Sequence, residues 1–517
     1  ITENEALMRV STDHVEAFLH PMVDPDAKTD IVASGLPASP GGATGQVVFS
    51  AEEAEDEVAA GSSVILVRRE TTPEDIHGMK VAAGVLTELG GMTSHAAVVA
   101  RGMGVCAITG CGDLSIDYAA GTATTTEGVI IKRGDTITLD GTSGEVMLGD
   151  IAKIEASSSD DFQVLLSWAD KHRRLKVRAN AETPEDAAKA RELGAEGIGL
   201  CRTEHMFFAA ERIDVMRAMI LSETRDERQS YLEQLLTFQH DDILELFKVM
   251  DGLPVTIRLL DPPLHEFLPQ STEDMEALAT RIGKPADKIR EITERLQEVN
   301  PMLGFRGCRL SVVYPEITEM QVKAIIGAAA DAVDQGYKPL PEIMIPLVIN
   351  VREIRLITEI IDKSIREVKR ANTVSVPYKI GTMMETPRAT LGAHRLAPEV
   401  EFMSFGTNDL TQMTYGFSRD DAGKFIPKYL EKKLIDADPF VSLDDRAVGR
   451  LMEMAVNESR AVKKGIKYGI CGEHGGDPRS IHFCHELGLD YVSCSPFRVP
   501  IARIAAAQAN VGFEPND

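Results

Sequence analysis

Between residue 175 and the C-terminus, short apolar runs alternate eight times with helix-like stretches, and nothing else in the chain restricts its fold so strongly. The runs occupy 176–180, 197–201, 255–260, 343–348, 379–384, 402–406, 468–471 and 491–493. Strands that alternate with helical patterns imply βαβ units and a parallel sheet. Eight such units in succession close into a (β/α)8 TIM barrel, for which about 250 residues suffice. The segment 175–517 is longer than that, and the reading places a long insertion at roughly 203–250, after the second strand.

The first third of the chain has a different texture. Residues 1–30 read as a helical lead-in (amphipathic over 3–19) that ends in a loop from Pro21 to Asp30. From Gly35 onward, short strands and turns take over: Pro40 to Gly45 turns into 46–49, 64–67 is a buried strand, and a further apolar run covers 81–87. Thr72-Pro73-Glu74-Asp75 carries a helix-start signal, a cap candidate before Pro and acidic residues. A strand at 136–139 and the turn Gly141 to Gly144 close a compact α/β domain, 31–150. The run Ala156-Ser157-Ser158-Ser159-Asp160-Asp161 marks a linker, 151–174. The fold class is therefore α/β, a smaller α/β domain followed by a barrel at 175–517.

Composition narrows the partners. With 55 Lys and Arg against 80 Asp and Glu, the net charge of −25 argues against nucleic acid or an anionic membrane as partner. An acidic chain that handles an anionic substrate must gather its arginines locally, so arginines at strand ends carry extra weight. Seven cysteines without CxxC spacing fit a reducing, cytoplasm-like compartment rather than a disulfide framework or a zinc site. No apolar run approaches the length of about 18 residues expected of a membrane span, and no signal peptide is visible. The chain opens on Ile1, which suggests a piece of something larger.

Two constellations carry chemistry. In Gly90-Gly91-Met92-Thr93-Ser94-His95, Thr93 and Ser94 are natural N-caps before a helical run of small apolar residues. His95 then stands in the first turn, near free N–H groups and the positive end of the helix dipole, where a group that carries phosphate is favoured. The second constellation lies where barrel strands end, the usual place of catalytic groups. Arg202 ends strand two, Arg258 strand three, Glu385 strand five, Asn408 and Asp409 strand six, and Cys471 strand seven. Glu385 and Asp409 end adjacent strands and are spaced to share a cation, as two carboxylates commonly hold Mg2+. A salt bridge with the arginines is the competing reading. Arg202 and Arg258 offer forked donors to a phosphate or carboxylate, while Asn408 and the backbone at Gly406 and Thr407 would orient further oxygens. An isolated cysteine such as Cys471 is ordinarily a small buried hydrophobe, yet its thiol is also a chemically reasonable proton donor to an enolate carbon.

The wording of these segments is specific. GGMTSHAAVVARGMG (90–104), GLCRTEHMF (199–207), DPPLHEFLP (261–269), GTNDLTQMTYGFSRDD (406–421), CGEHGGDP (471–478) and YVSCSPFRVPIARIAAAQA (491–509) resemble the phosphoenolpyruvate-utilising enzymes, and within them the pyruvate phosphate dikinases. Enzyme I relatives of the sugar phosphotransferase system usually show Leu-Ala-Gly where His474-Gly475-Gly476 stands here, and Arg where Met92 stands. Thr386 occupies a position where a β-branched apolar residue is more common.

The resemblance implies a swivelling phosphohistidine domain followed by the barrel, with His95 as the phosphohistidine. It implies that Arg202, Arg258, Glu385, Gly406, Thr407, Asn408 and Asp409 bind phosphoenolpyruvate or pyruvate. Glu385 and Asp409 would hold Mg2+, and Cys471 would be the proton donor. Arg306 is a further candidate for phosphate. The implied activity is the pyruvate half-reaction of a dikinase, with an ATP-binding domain missing upstream and a homodimer formed through the barrel. In plant members Thr93 is a regulatory site for a kinase and phosphatase, and a plastid transit peptide would lie upstream of Ile1. Two other readings compete: an enzyme I-like donor to a carrier protein, for which 31–148 leaves no docking subdomain, and a non-catalytic regulatory fragment.

Overall fold

The computed structural model describes the chain except residues 12–14, 16–20, 73–74, 92–95, 98, 101–103, 155–159, 270, 372–375 and 513–517. It divides into two compact units, Ile1–Trp168 and Ala169–Asp517.

In the first unit, eight strands form one mixed sheet in the order Ile31–Ser34, Glu145–Leu148, Thr136–Asp140, Gly42–Val48, Val64–Arg68, Gly84–Thr87, Cys106–Thr109 and Leu36–Ser39. The four strands from Gly42–Val48 to Cys106–Thr109 run parallel. Their runs of buried Val, Ile and Leu are what a sheet covered on both faces requires. One core gathers Val47, Ile65, Ile137 and Leu139; the other gathers Val64, Leu66, Met79 and Val85. A separate three-stranded antiparallel sheet combines Leu114–Asp117, Thr122–Thr125 and Ile130–Lys132.

Three local expectations are corrected here. The apolar run 81–87 is not one strand: Val81 ends the helix Ile76–Val81, and the strand starts only at Gly84. Continuous apolarity cannot distinguish a buried helix end from a buried strand. The loop read from Pro21 to Asp30 contains a two-residue strand, Met22–Val23, paired antiparallel with Lys153–Ile154. The segment 151–174, read as linker, carries that second strand and the helix Asp160–His172. Pairs this short leave no periodic trace in the sequence.

In the second unit, eight parallel strands close a barrel: Lys176–Asn180, Ile198–Arg202, Pro254–Arg258, Leu340–Ile345, Lys379–Met383, Phe402–Phe405, Lys467–Ile470 and Tyr491–Cys494. The last strand returns to the first, with Lys176 opposite Tyr491 and Ala179 opposite Cys494. Core side chains include Val177, Ile257, Ile343, Phe405 and Val492. The C-terminal helix Val499–Val511 buries the alanines 502, 505, 506, 507 and 509.

The reading placed the long insertion after strand two. A longer excursion follows strand three, spanning 259–339 and containing the helices Thr272–Ile282, Ala286–Leu296, Cys308–Val313 and Pro315–Asp334. Much of 203–250 is the barrel's own crossover. The helix Arg225–Val249 places Ile243, Leu246 and Phe247 in the main core, while Leu232 and Leu235 join a second core with Phe267, Leu278, Ile289 and Ile292 from the later excursion.

The N-terminal half of the barrel is filled by an ion network. Arg178 donates to Glu342 (2.7 Å) and Thr256 (3.1 Å), Thr256 donates to the same Glu342 oxygen (2.9 Å), and Lys467 donates to the other (3.0 Å). The Arg178 guanidinium also lies 4.1 Å from the centre of the Tyr491 ring. Burial alone would raise the Glu342 pKa, but Arg178 and Lys467 outweigh it and bring it down to about 2.

Candidate active site

At the C-terminal end of the barrel, the strand ends enclose a cavity of about 300 Å³ whose wall includes Arg202, Arg258, Arg306, Asn408, Asp409 and Cys471. Gly406 also lines it. Glu385 and Thr407 are fully buried, and the Glu385 carboxylate lies against Gly406: a Cβ at that position would stand 2.5 Å from its Oε2. A side chain at 406 would displace the carboxylate, which explains glycine at that place. His95 and Thr93 lie outside the described residues.

Neither Glu385 nor Asp409 pairs with Arg202 or Arg258, but Asp409 does form an ion pair with a third arginine, Arg306. Arg202 donates to Glu182 at 2.9 Å. Arg258 bridges Glu204 and Asp261, the latter at 2.8 Å. Arg306, on the turn that precedes the helix Cys308–Val313, donates to Asp261 at 2.6 Å and to Asp409 at 3.0 Å. Asp261 therefore sits between two guanidinium groups. Burial opposes its ionisation, but Arg258 and Arg306 together hold it below the usual carboxylate range. Burial likewise opposes charge on Arg258 and Arg306, and the surrounding carboxylates more than offset it, so both stay protonated. With Arg202, they form a cationic wall suited to a substrate bearing phosphate and carboxylate.

Glu385 has the opposite problem. Its Oε1 accepts from the Leu347 amide at 2.5 Å, while Oε2 has no partner. Leu347 delivers that N–H from a left-handed backbone conformation (φ 56°), a strain of the kind that clusters at active sites. Burial, then the neighbouring Asp409 and Asp261, push the Glu385 pKa up to about 8. Asp409 is raised by burial too, against the pull of Arg306. An orphaned buried oxygen near a second carboxylate that burial disfavours as an anion would suit a cation. Hard oxygen donors suit Mg2+, which commonly keeps water and substrate oxygens in its remaining positions. Among the described residues no cluster of three or more His, Cys, Asp or Glu side chains forms a metal site, so Glu385 and Asp409 would be two protein ligands completed from elsewhere.

Cys471 is buried at the mouth rather than open to solvent. It is 1% exposed, packed with Leu200, Met344, Met383 and Phe402, while still forming part of the cavity wall. Burial, reinforced by Glu385, pushes its thiol up to about 11 despite Ser404, Arg258 and Arg202. A thiol held protonated at neutral pH is an acid rather than a nucleophile. Ser404 is fully buried, and its hydroxyl favours the ionised form of both Cys471 and Tyr491.

Sequence reasoning passed over several of these groups. Asp261 and Glu204 appeared in the strand-end segments without a role, and Ser404 and Tyr491 read as ordinary strand residues. Arg306 is far from any strand end, and only the resemblance pointed to it. Thr386 is also explained: its hydroxyl donates to the Val348 carbonyl (3.1 Å), and its Oγ1 accepts from the Ala389 amide (3.1 Å), capping the helix Pro387–Leu391. An apolar β-branched residue would supply neither bond.

Residues 156–511 match the PEP-utilising enzyme, PEP-binding domain, and residues 61–144 match the PEP-utilising enzyme, mobile domain. The chain is similar to a pyruvate, phosphate dikinase of Rhizobium meliloti (strain 1021), 54% identical over 99% of this chain and 57% of the relative. It is 52% identical to that of Clostridium symbiosum, over 98% of this chain and 58% of the relative. A chloroplastic pyruvate, phosphate dikinase 1 of Arabidopsis thaliana is 53% identical over 99% and 53% respectively. The chain thus spans somewhat over half the length of the curated relatives it matches. No helix among the described residues is long and apolar enough to cross a membrane.

Proposed function

The chain belongs to the PEP-utilising enzymes, and from that membership and the geometry of the barrel mouth we propose that it transfers a phosphoryl group reversibly between phosphoenolpyruvate and His95, yielding pyruvate. This is the pyruvate half of the dikinase reaction, ATP + phosphate + pyruvate = AMP + diphosphate + phosphoenolpyruvate. The observation that carries the proposal is the joint presence, on one cavity wall, of an arginine cluster and a buried, protonated thiol.

Arg202, Arg258 and Arg306 bind the phosphate and carboxylate of the substrate, and Asn408 orients it. The phosphorus–oxygen bond of phosphoenolpyruvate breaks as a phosphorus–nitrogen bond forms at His95, leaving the enolate of pyruvate. The Cys471 thiol gives its proton to the enolate methylene carbon, and the thiolate recovers a proton from solvent. Mg2+ held by Glu385 and Asp409 would supply charge neutralisation at the enolate and phosphoryl oxygens. Exclusion of water by the buried wall strengthens each of these charge interactions.

Incubation with labelled phosphoenolpyruvate and Mg2+, without nucleotide, tests the reading. Acid-labile phosphate should appear on His95 and disappear in His95→Ala. Label retained in that variant, on another of the 12 histidines, would overturn the assignment.

Regulation and assembly belong to the same reading. A phosphate on Thr93 would add close to two negative charges beside His95 and repel the incoming phosphoryl group. Thr93→Asp should therefore suppress labelling that Thr93→Ser preserves; equal labelling would leave Thr93 only a capping role. Self-association through the barrel is expected to give a homodimer by light scattering. The seven cysteines are all free and buried, in keeping with a reducing compartment such as the cytoplasm or plastid stroma.

A further inference from the structure

The motif His474-Gly475-Gly476 distinguishes this chain from enzyme I-like spellings, and none of the steps above uses it. His474 is fully buried, and both ring nitrogens are engaged. Nε2 stands 2.9 Å from the Pro439 carbonyl oxygen, and Nδ1 stands 2.7 Å from Thr407 Oγ1. A carbonyl only accepts, so Nε2 carries the proton. In the neutral ring Nδ1 must then accept, and the Thr407 hydroxyl is its donor. Burial holds the histidine below its usual pKa, against Pro439, Asp477 and Glu473, which favour the charged ring.

The two partners lie on different segments. Thr407 opens the helix Thr407–Tyr415, which carries Asn408 and Asp409. Pro439 belongs to the stretch between the helices Ile426–Glu431 and Val448–Val462. That stretch is also fastened just beyond His474, at the start of the helix Pro478–Glu486: Ser442 donates to Asp477 at 3.0 Å, and the Leu443 amide donates to Ser480 at 2.9 Å. A second bond joins the two catalytic turns, from the Glu473 amide to Asn408 Oδ1 at 3.2 Å. Gly472, between Cys471 and these anchors, is required by the approach: a Cβ there would lie 2.1 Å from Thr407 Oγ1.

Building on the phosphoenolpyruvate reading, we propose that His474 is a positioning residue, whose neutral ring clamps the turn bearing Cys471 to the turn bearing Thr407, Asn408 and Asp409. The thiol and the substrate-binding groups come from different strands, and this clamp fixes their register. A displacement of about 1 Å at a reacting centre is enough to cost about 10²-fold in rate.

The test is single-turnover formation of pyruvate from phosphoenolpyruvate by the whole chain, together with Mg2+ binding by calorimetry. His474→Leu should lower the rate by about 10²-fold and leave Mg2+ affinity within about twofold, because the ring's hydrogen bonds go to Thr407 and Pro439 and not to Glu385 or Asp409. His474→Asn restores an acceptor near the Nδ1 position and should recover part of the rate. His474→Gln restores only the donor towards Pro439 and should not. Thr407→Val removes the same bond from the other side, and the double variant should be no slower than the slower single one. Should His474→Leu fail to fold, Thr407→Val and the Asn and Gln pair still decide. Additive losses, rescue by Gln rather than Asn, or ring-nitrogen NMR shifts showing an Nδ1–H tautomer would each overturn the clamp. A wild-type chain that forms no pyruvate would instead overturn the reading of the site on which the clamp depends.

Discussion

In the N-terminal half of the barrel, Glu342 accepts from Arg178, Thr256 and Lys467, and both its oxygens are matched. At the C-terminal end, Glu385 is as deeply buried but uses one oxygen on a strained backbone amide and has no partner for the other. The environments drive the two carboxyls in opposite directions, down to about 2 at Glu342 and up to about 8 at Glu385. Arg258, too, is left with an unmatched Nε. One network is closed on itself and leaves no oxygen of Glu342 for a ligand. The other is left open, and an open buried network persists where a ligand completes it.

The contrast predicts that substitutions at the mouth cost rate and those below it cost stability. The largest effect is expected at Cys471. Cys471→Ala should reduce pyruvate formation by about 10²–10⁴-fold, the range of a lost general acid, while Mg2+ binding persists. Its packing with Met344, Met383 and Phe402 adds a stability loss of about 1 kcal/mol for the emptied volume. Exchange of pyruvate methyl protons with deuterated water reports the proton transfer; wild-type exchange in the variant would return Cys471 to a packing role.

Glu385→Gln comes next. It should weaken Mg2+ binding and slow turnover by about 10²–10³-fold, as for the loss of one preorganised electrostatic group. The thermal midpoint without metal should hold or rise, because a carboxyl that resists ionisation is replaced by a neutral amide. A clear fall in that midpoint would mean that the mouth network is structural after all.

Below the mouth the expectation reverses. Glu342→Ala leaves Arg178 and Lys467 buried without their partner and should cost about 3–5 kcal/mol, with kcat retained in the folded fraction. The pH dependence follows from the lowered pKa. Glu342 contributes stability that is fully present above its unfolded value near 4.5 and lost as pH falls through about 2, a total on the order of 3 kcal/mol. Denaturant titrations should therefore show wild-type stability falling further than that of Glu342→Gln between pH 5 and pH 2. Parallel losses would show that the network is not the acid-sensitive element.

How much of this was legible beforehand depends on how local the signal is. The eight strands could be read because short stretches rich in apolar residues alternate with helical patterns, and Arg202, Arg258, Glu385, Asp409 and Cys471 because they stand where such stretches end. The excursion over 259–339 was not, since its helices are amphipathic and resemble ordinary crossovers. Arg306 sits in a glycine-flanked turn far from a strand end, so no spacing rule reaches it. The closed network was invisible for a related reason: Arg178, Thr256, Glu342 and Lys467 come from four strands, and only barrel closure brings them together. His474 registered as a spelling difference, because its meaning lies in Thr407 and Pro439, which are distant in sequence.

The smallest predicted effect separates location from satisfaction. Thr386 follows Glu385 directly at the mouth, yet its hydroxyl both donates to Val348 and caps the helix Pro387–Leu391. If the two ends of the barrel differ because one is matched and the other is not, Thr386 should behave like Glu342 despite its address. Thr386→Val preserves the β-branched shape and removes only the hydroxyl, so it should cost about 1 kcal/mol, as for a lost N-cap. The rate of pyruvate formation should change by less than about threefold, which is below 1 kcal/mol in barrier height. Thr386→Ser keeps both bonds and should lose less stability than the valine variant. A rate loss of tenfold or more in a stably folded Thr386→Val would mean that proximity to Glu385, rather than hydrogen-bond satisfaction, decides what a residue at this end contributes.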